Sequence, residues 1–328
     1  VNRRLVHLLL ALATPALEQA VQSAPKSAAA LQIAGKRYLR ITDWAKNNGL
    51  QFRWLKQEET MVLSNSDFRI HLKVNSSEAE FNEVIVRLLY PAALREGVPF
   101  LSELDIQNTF APLLNPPRNR AGLLVKKICV DAGHGGDDPG YHSGPNQEKK
   151  FALLLAQELR DQLAKAGFKV SMTRTSDKRV ELADRSDVAR RKGADAFISV
   201  HFNAFTEHTV QGTEVYCLTP AGAPSTNARG EGAGAGSFTG NKNNEKNMLL
   251  AFQMQKSLTQ SLKVEDRGVH RARFEVLREA EMPAVLIEGG FLSHVTEGKK
   301  ILDPGYRRQM ARAVVDGLLA YKKQVERK

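Results

Sequence analysis

Three short, almost unbroken apolar runs constrain this chain most: Ile128-Cys129-Val130, Phe197-Ile198-Ser199-Val200 and Ala284-Val285-Leu286-Ile287. Runs this short and this apolar are buried on both faces, as parallel strands covered by helices are. Helical patterns lie between them. Phe151, Leu155, Leu159 and Leu163 recur every four positions before Gly167, an amphipathic stripe followed by a C-terminal stop. Residues 180–192 read as a helix ended by Gly193, residues 248–262 as another, and 306–321 as a closing amphipathic helix. Further strands are expected at 168–174, 212–218 and 274–277. This alternation predicts an α/β fold: three layers, α/β/α, around a mostly parallel, twisted sheet.

Each run leads to a group that carries chemistry. The first breaks into Asp131-Ala132-Gly133-His134-Gly135-Gly136-Asp137-Asp138-Pro139-Gly140. This turn is not a phosphate loop, because no Gly-Lys-Ser/Thr follows, and not a dinucleotide fingerprint, because Asp138 stands where the third glycine belongs. His201 ends the second run, Glu288 ends the third, and Glu148 opens the helix after the turn. Open α/β sheets bind ligands beyond the carboxyl ends of their strands, so all four side chains are expected at one edge. Two imidazoles and a carboxylate with an open position describe a hydrolytic zinc site, and a second carboxylate would then act as acid and base. Manganese and iron are also compatible with these donors. The spacing is too loose for a local zinc motif such as His-Glu-x-x-His.

The balance of charges is 47 Lys and Arg against 36 Asp and Glu, a net +11. It favours an anionic partner: wall polymer, membrane surface or nucleic acid. Aromatics are only 7% and no basic run is interleaved with them, which makes nucleic acid the weakest of the three. Cys129 and Cys217, the two cysteines, lie in expected strands. They exclude a disulfide framework and favour buried free thiols. Asn2-Arg3-Arg4, an apolar run over 5–16 and the small residues up to position 30 have the layout of a secretory leader, too short to span a bilayer. No other stretch is long and apolar enough to span.

Residues 31–114 read as a small α+β domain. Phe68-Arg69-Ile70-His71-Leu72-Lys73-Val74 alternates as a half-buried strand. Gly35-Lys36-Arg37-Tyr38-Leu39, followed by Asp43-Trp44, is echoed by Gly97-Val98-Pro99-Phe100-Leu101, followed by Asp105-Ile106. Strand-helix units on either side of hairpins resemble the copper amine oxidase N-terminal-like domain found beside many bacterial wall enzymes. The resemblance implies a scaffold or attachment role and no copper, since His71 is the module's only histidine. Asn115-Pro116-Pro117-Arg118-Asn119-Arg120 marks a linker over 115–123.

The remainder, about 124–325, resembles a known family. Val130 to Gly140 looks like its opening motif, Glu148-Lys149 its second, and Thr173-Arg174-Thr175-Ser176-Asp177 with Leu182 and Arg185 its middle. Ala194-Asp195-Ala196-Phe197-Ile198-Ser199-Val200-His201-Phe202-Asn203-Ala204 is similar to the third motif. Val276-Leu277-Arg278 and Met282-Pro283-Ala284-Val285-Leu286-Ile287-Glu288-Gly289-Gly290-Phe291-Leu292-Ser293 are similar to the last. These are the zinc-dependent N-acetylmuramoyl-L-alanine amidases of the Amidase_3 type. The resemblance implies Zn2+ on His134, Glu148 and His201, and Glu288 as catalytic acid and base. It also implies hydrolysis of the amide joining the muramic lactyl group to L-alanine, with peptidoglycan as partner and an exported enzyme acting in the periplasm or cell envelope. Ala132, Phe202 and His294 depart from the usual Pro, Ala and Asn, and none removes a chemical group.

Arg278 is a candidate for holding a substrate carboxylate or Glu288, against a purely structural ion pair. Asn203 is a candidate for supporting a ligand. His142 and His208 read as loop residues. The Gly-rich stretch 219–247 is an inert linker or a lid, inert being favoured. The competing functions are a zinc hydrolase of another wall amide and a non-catalytic wall binder. The identity of any regulatory protein partner is not given by the sequence.

Overall fold

The structure, a computed structural model, describes residues 30–226 and 236–326. The leader-like residues up to 29 and positions 227–235 of the Gly-rich stretch lie outside the described residues.

Strands β1 (Ala30–Ile33) and β2 (Lys36–Arg40) form a hairpin followed by helix α1 (Ile41–Asn47). An antiparallel meander follows: β3 (Gln51–Lys56), β4 (Thr60–Ser64), β5 (Arg69–Lys73), β6 (Glu78–Phe81) and β7 (Val84–Arg87). A second hairpin, β8 (Ala93–Arg95) and β9 (Val98–Ser102), leads into α2 (Glu103–Asp105), a π-helical turn (Ile106–Phe110) and α3 (Ala111–Leu114). Both hairpins turn on two left-handed residues, Ala34-Gly35 at φ 47° and 72°, and Glu96-Gly97 at φ 51° and 73°. That geometry matches the twist of the strands it joins. β2 pairs with β9, Leu39 opposite Leu101, in the sheet order β1-β2-β9-β8. The two echoed units of the sequence thus meet at the centre of one sheet.

The second part contains β10 (Lys127–Ala132), the small hairpin β11 (His142–Ser143) and β12 (Asn146–Gln147), α4 (Glu148–Lys165), β13 (Lys169–Met172) and α5 (Leu182–Arg191). Then come β14 (Ala196–Asn203), β15 (Thr213–Leu218), a 3-10 turn (Thr239–Asn243), α6 (Asn244–Leu262), β16 (Asp266–Ala272) and α7 (Glu275–Arg278). β17 (Ala284–Phe291), α8 (Glu297–Leu302) and α9 (Pro304–Val325) complete it. The large sheet has the order β13-β10-β14-β17-β15-β16-β7-β6-β5-β4-β3. From β13 to β17 all pairings are parallel; β15 runs against β17 and alongside β16. The sheet is therefore mixed, and β16 joins the N-terminal meander through Val269 opposite Val86.

Strand alternation divides the buried side chains between two layers. Ile128, Val130, Ile198, Val200, Val285 and Ile287 belong to the larger core, which also takes residues of α4, α6 and α9. Cys129, Phe197, Ala284 and Leu286 belong to a second core with Ala189 of α5 and Val276 and Leu277 of α7. The stripe Phe151, Leu155, Leu159 and Leu163 is buried, each side chain contributing about 1.5–3 kcal/mol by leaving water. The N-terminal part shares the larger core through Phe81, Phe110 and Phe252. Arg271, fully buried on β16, donates from Nη2 to Asn108 O at 2.6 Å and Thr109 Oγ1 at 3.0 Å in the π-helical turn. The linker lies against the end of α9, where the Asn119 N–H donates to Val325 O.

Several local expectations change. Residues 274–277 form no strand: Phe274 precedes the short helix α7, whose consecutive Val276 and Leu277 are both buried. The strand of this region is β16, which was hidden because Asp266, Arg267, His270 and Arg271 mask its apolar alternation. His201 and Glu288 are not strand ends, since β14 runs on to Asn203 and β17 to Phe291. The Gly-rich stretch becomes helical from Thr239, and α6 starts at Asn244. There Asn241 Oδ1 accepts from the Phe238 N–H, and Asn247 Oδ1 accepts from the Ala284 N–H. Both cysteines are free and buried, and burial pushes the Cys129 thiol up to about 12. Among the described residues no helix is long and apolar enough to cross a membrane.

Candidate metal centre

β10, β14 and β17 run in parallel, so their carboxyl ends share an edge. The turn after β10 places His134 there at φ 59°, a left-handed conformation that costs about 1–2 kcal/mol for a residue with a Cβ. Two buried arginines hold it. Arg174 donates to Ala132 O, Gly133 O and Lys149 O at 2.9, 2.6 and 2.7 Å. Arg185 donates to Ala132 O at 2.8 Å and His134 O at 2.9 Å, and pairs with Asp131 at 2.9 Å. Asp131, fully buried, also accepts from Thr173 and Ser199 at 2.6 and 2.7 Å. The middle-motif residues Thr173, Arg174 and Arg185 thus bind the turn to the sheet.

Glu148, first residue of α4 and buried, lies between the imidazoles. Its Oε1 is 3.0 Å from His134 Nε2 and 3.0 Å from His201 Nδ1, and accepts the Phe202 N–H at 3.1 Å. Its Oε2 accepts the Tyr141 N–H at 3.0 Å. The positive end of the helix dipole favours a carboxylate here. Burial pushes its pKa up, but the hydrogen bonds and charges of His134 and His201 outweigh that and hold it well below the usual carboxylate range. Burial would lower His134; Glu148 first and then Asp138 overcome it and raise the imidazole above its ordinary value. Asp138 Oδ2 lies 2.9 Å from Nδ1, leaving Nε2 facing Glu148.

His201 is opposite Glu288 across β14 and β17, and Glu288 is opposite Glu214 across β17 and β15. Residues paired in register face the same side of a sheet, so these three form a row. Glu288 is half-buried, and its Oε2 has no hydrogen-bond partner among the described residues. Burial first, then the charges of Glu148 and Glu214, raises its carboxyl well above the ordinary value. Glu214 is satisfied by Tyr216 Oη at 2.6 Å and Arg267 Nε at 2.5 Å.

Ligand atoms of His134, Glu148 and His201 all lie within 4.8 Å of one another, the one such cluster among the described residues. Two imidazole nitrogens and a carboxylate oxygen fit a divalent cation of borderline softness. A Cβ on Gly133 would run into the His201 ring, and one on Gly140 would lie 2.5 Å from Glu148 Oε2. Backbone without side chains is what lets the turn pass this close to the cluster. A cleft of about 380 Å³ adjoins the turn, lined by Asp138, Arg179, Glu181, Leu182 and Glu275 among others.

The other sequence candidates are outside the three-residue cluster. Arg278 is 3.8 Å from Glu275 and stacks over Phe238 at 5.3 Å. Asn203 reaches Glu214 Oε2 at 3.4 Å and accepts the Ala204 N–H on its own Oδ1. His142 is exposed in the β11 hairpin, and His208 Nδ1 lies 2.8 Å from Ser293 O. Sequence reading missed Asp138 and Glu214. A carboxylate four residues after His134 and a lone glutamate in an apolar strand were the available signals.

A family model described as N-acetylmuramoyl-L-alanine amidase (Amidase_3) matches residues 128–320. The N-acetylmuramoyl-L-alanine amidase AmiC of Neisseria meningitidis serogroup B is 35% identical over 242 residues, which is 67% of this chain and 57% of that protein. The sporulation-specific N-acetylmuramoyl-L-alanine amidase of Bacillus subtilis is 34% identical over 194 residues, 58% of this chain and 66% of that protein. The chain thus spans 57% and 66% of the lengths of these two relatives. A crystal structure of an N-acetylmuramoyl-L-alanine amidase from Clostridium difficile 630 matches with 32% identity and a TM-score of 0.50, covering 61% of this chain and 97% of that one.

Proposed function

From the premise that the chain belongs to the Amidase_3 family, we propose that it hydrolyses the amide between the muramic lactyl group and L-alanine of peptidoglycan. His134, Glu148 and His201 hold zinc in this reading, and Glu288 is the catalytic acid and base. One observation carries it: three ligand atoms within 4.8 Å of one another stand beside a carboxyl whose buried Oε2 has no partner among the described residues. Bound zinc would supply a Lewis acid and lower the pKa of water toward roughly 7.

The chain's own residues do the rest. Asp138 orients His134, and the Arg174 and Arg185 contacts fix the turn that carries it. Glu288 takes a proton from the attacking water and returns it to the departing alanine nitrogen. Its raised affinity for a proton suits the second half of that task. Asn203 steadies Glu214 beside Glu288, and the pairing of Arg278 with Glu275 and Phe238 supports the structural role for Arg278.

In the proposed division, 31–114 is an accessory domain of the copper amine oxidase N-terminal-like kind, 115–123 a linker, and 124–325 the catalytic domain. The echoed hairpins support the first assignment. Action in the cell envelope, after export, follows from where the polymer lies. Digestion of purified peptidoglycan, with and without chelator, tests the proposal. The expected products are free lactyl groups and new L-alanine amino termini, formed only without chelator. New ends of any other kind would refute the assignment.

A further inference from the structure

β15 and β16 bring a cation to the same edge as the metal cluster. β15 runs against β17, so its first residues lie beside Glu288; β16 is parallel to β15, so its first residues lie there too. Arg267 stands in the register slip between the pairs Thr213 with Asp266 and Glu214 with Gly268. Its Nε donates to Glu214 Oε1 at 2.5 Å, and its guanidinium carbon sits 5.1 Å from the Phe291 ring centroid. The guanidinium is thus fixed on one edge and one face. The side chain is nevertheless 31% exposed. Among the described residues no acceptor hydrogen-bonds to Nη1 or Nη2, and Glu265 Oε1 is 3.9 Å from Nη1.

Four other cations around the turn are committed. Arg174 and Arg185 bind main-chain oxygens, Lys149 binds Gly136 O and Asp177, and Arg179 bridges Asp137 and Glu181. A guanidinium held by its Nε side, with its outer edge open, matches the two oxygens of a carboxylate. In the proposed substrate the lactyl carboxyl is consumed in the scissile amide, and the sugars carry hydroxyl and acetamido groups. The remaining anionic groups are the carboxylates of the stem peptide. Resting on the amidase reading above, we infer that Arg267 anchors a free carboxylate of the stem peptide.

The test uses the full chain, zinc-loaded, on two soluble muramoyl-peptides whose stem carboxylates are either all free or all amidated. The wild type is expected to prefer the free form by about 10- to 100-fold in kcat/KM, mostly through KM, the range for a charge-assisted hydrogen bond. In Arg267→Gln that preference collapses toward unity, and Arg267→Lys keeps part of it. The ratio is taken within each variant, so a loss of folded protein does not alter it. A preference that survives in Arg267→Gln, or is absent from the wild type, overturns the inference alone. Failure of the wild type to cleave either substrate at the lactyl amide overturns the amidase reading and this inference with it.

Discussion

Arg185→Met probes the buried network behind the turn. In the wild type Arg185 is nearly inaccessible, and its guanidinium makes four contacts: Asp131 at 2.9 Å, Ala132 O at 2.8 Å, His134 O at 2.9 Å and Val180 O at 3.1 Å. Methionine fills much of the volume but strands the Asp131 carboxylate in a fully buried position. Breaking a buried pair from one side costs about 3–5 kcal/mol. The hydroxyls of Thr173 and Ser199 still serve Asp131, which places the expectation near 3 kcal/mol. At roughly 2–4 °C per kcal/mol for a domain of this kind, Tm falls by roughly 6–12 °C. The carbonyl of His134 also loses its donor, so zinc affinity should drop about 10- to 100-fold, as when other supporting partners are removed. Urea unfolding with a competitive zinc titration measures both. Asp131→Asn in the same background removes the stranded charge and should recover at least half of the stability. A loss below about 1 kcal/mol in Arg185→Met, or no recovery in the double variant, would refute the view that this pair holds the turn.

Further outcomes are expected. Glu288→Gln should keep stoichiometric zinc and lose about 10²–10⁴-fold in turnover, the usual share of a general acid and base; near wild-type hydrolysis would sink the assignment. Gly133→Ala pushes a methyl group into the His201 ring and should abolish tight zinc binding, so full metal content by atomic absorption would contradict the packing argument. In metal-free protein the raised His134 contributes stability fully below its unfolded value of about 6.5 and loses it as pH rises through the raised folded value. The lowered Glu148 contributes above its unfolded value of about 4.3 and loses it as pH falls through the lowered one. Between these limits both contributions are present, so metal-free stability should decline above the window. A rise from pH 6 to 8 in urea titrations would count against the coupling. Zinc binding should weaken in the opposite direction, on acidification, because proton and metal compete for the same imidazole.

The sequence by itself determined the fold class and pointed to the four side chains of the candidate site. Apolar runs report burial, glycines report a sharp turn, and in a parallel sheet residues just past such runs gather at one edge whatever the loops between them do. His134, His201 and Glu288 were legible for that reason, and Glu148 because it begins a well-patterned helix. Hidden from the sequence was β16, whose buried Arg271 and three other polar residues, Asp266, Arg267 and His270, break the alternation that marks a strand. So was the joining of the two parts through Val86 and Val269, since one pairing between distant segments leaves no local periodicity. Register decided the rest. Only the antiparallel placement of β15 sets Glu214 opposite Glu288 and brings Arg267 to the same edge. A glutamate and an arginine 53 positions apart have no sequence relation until the chain direction of two strands is known.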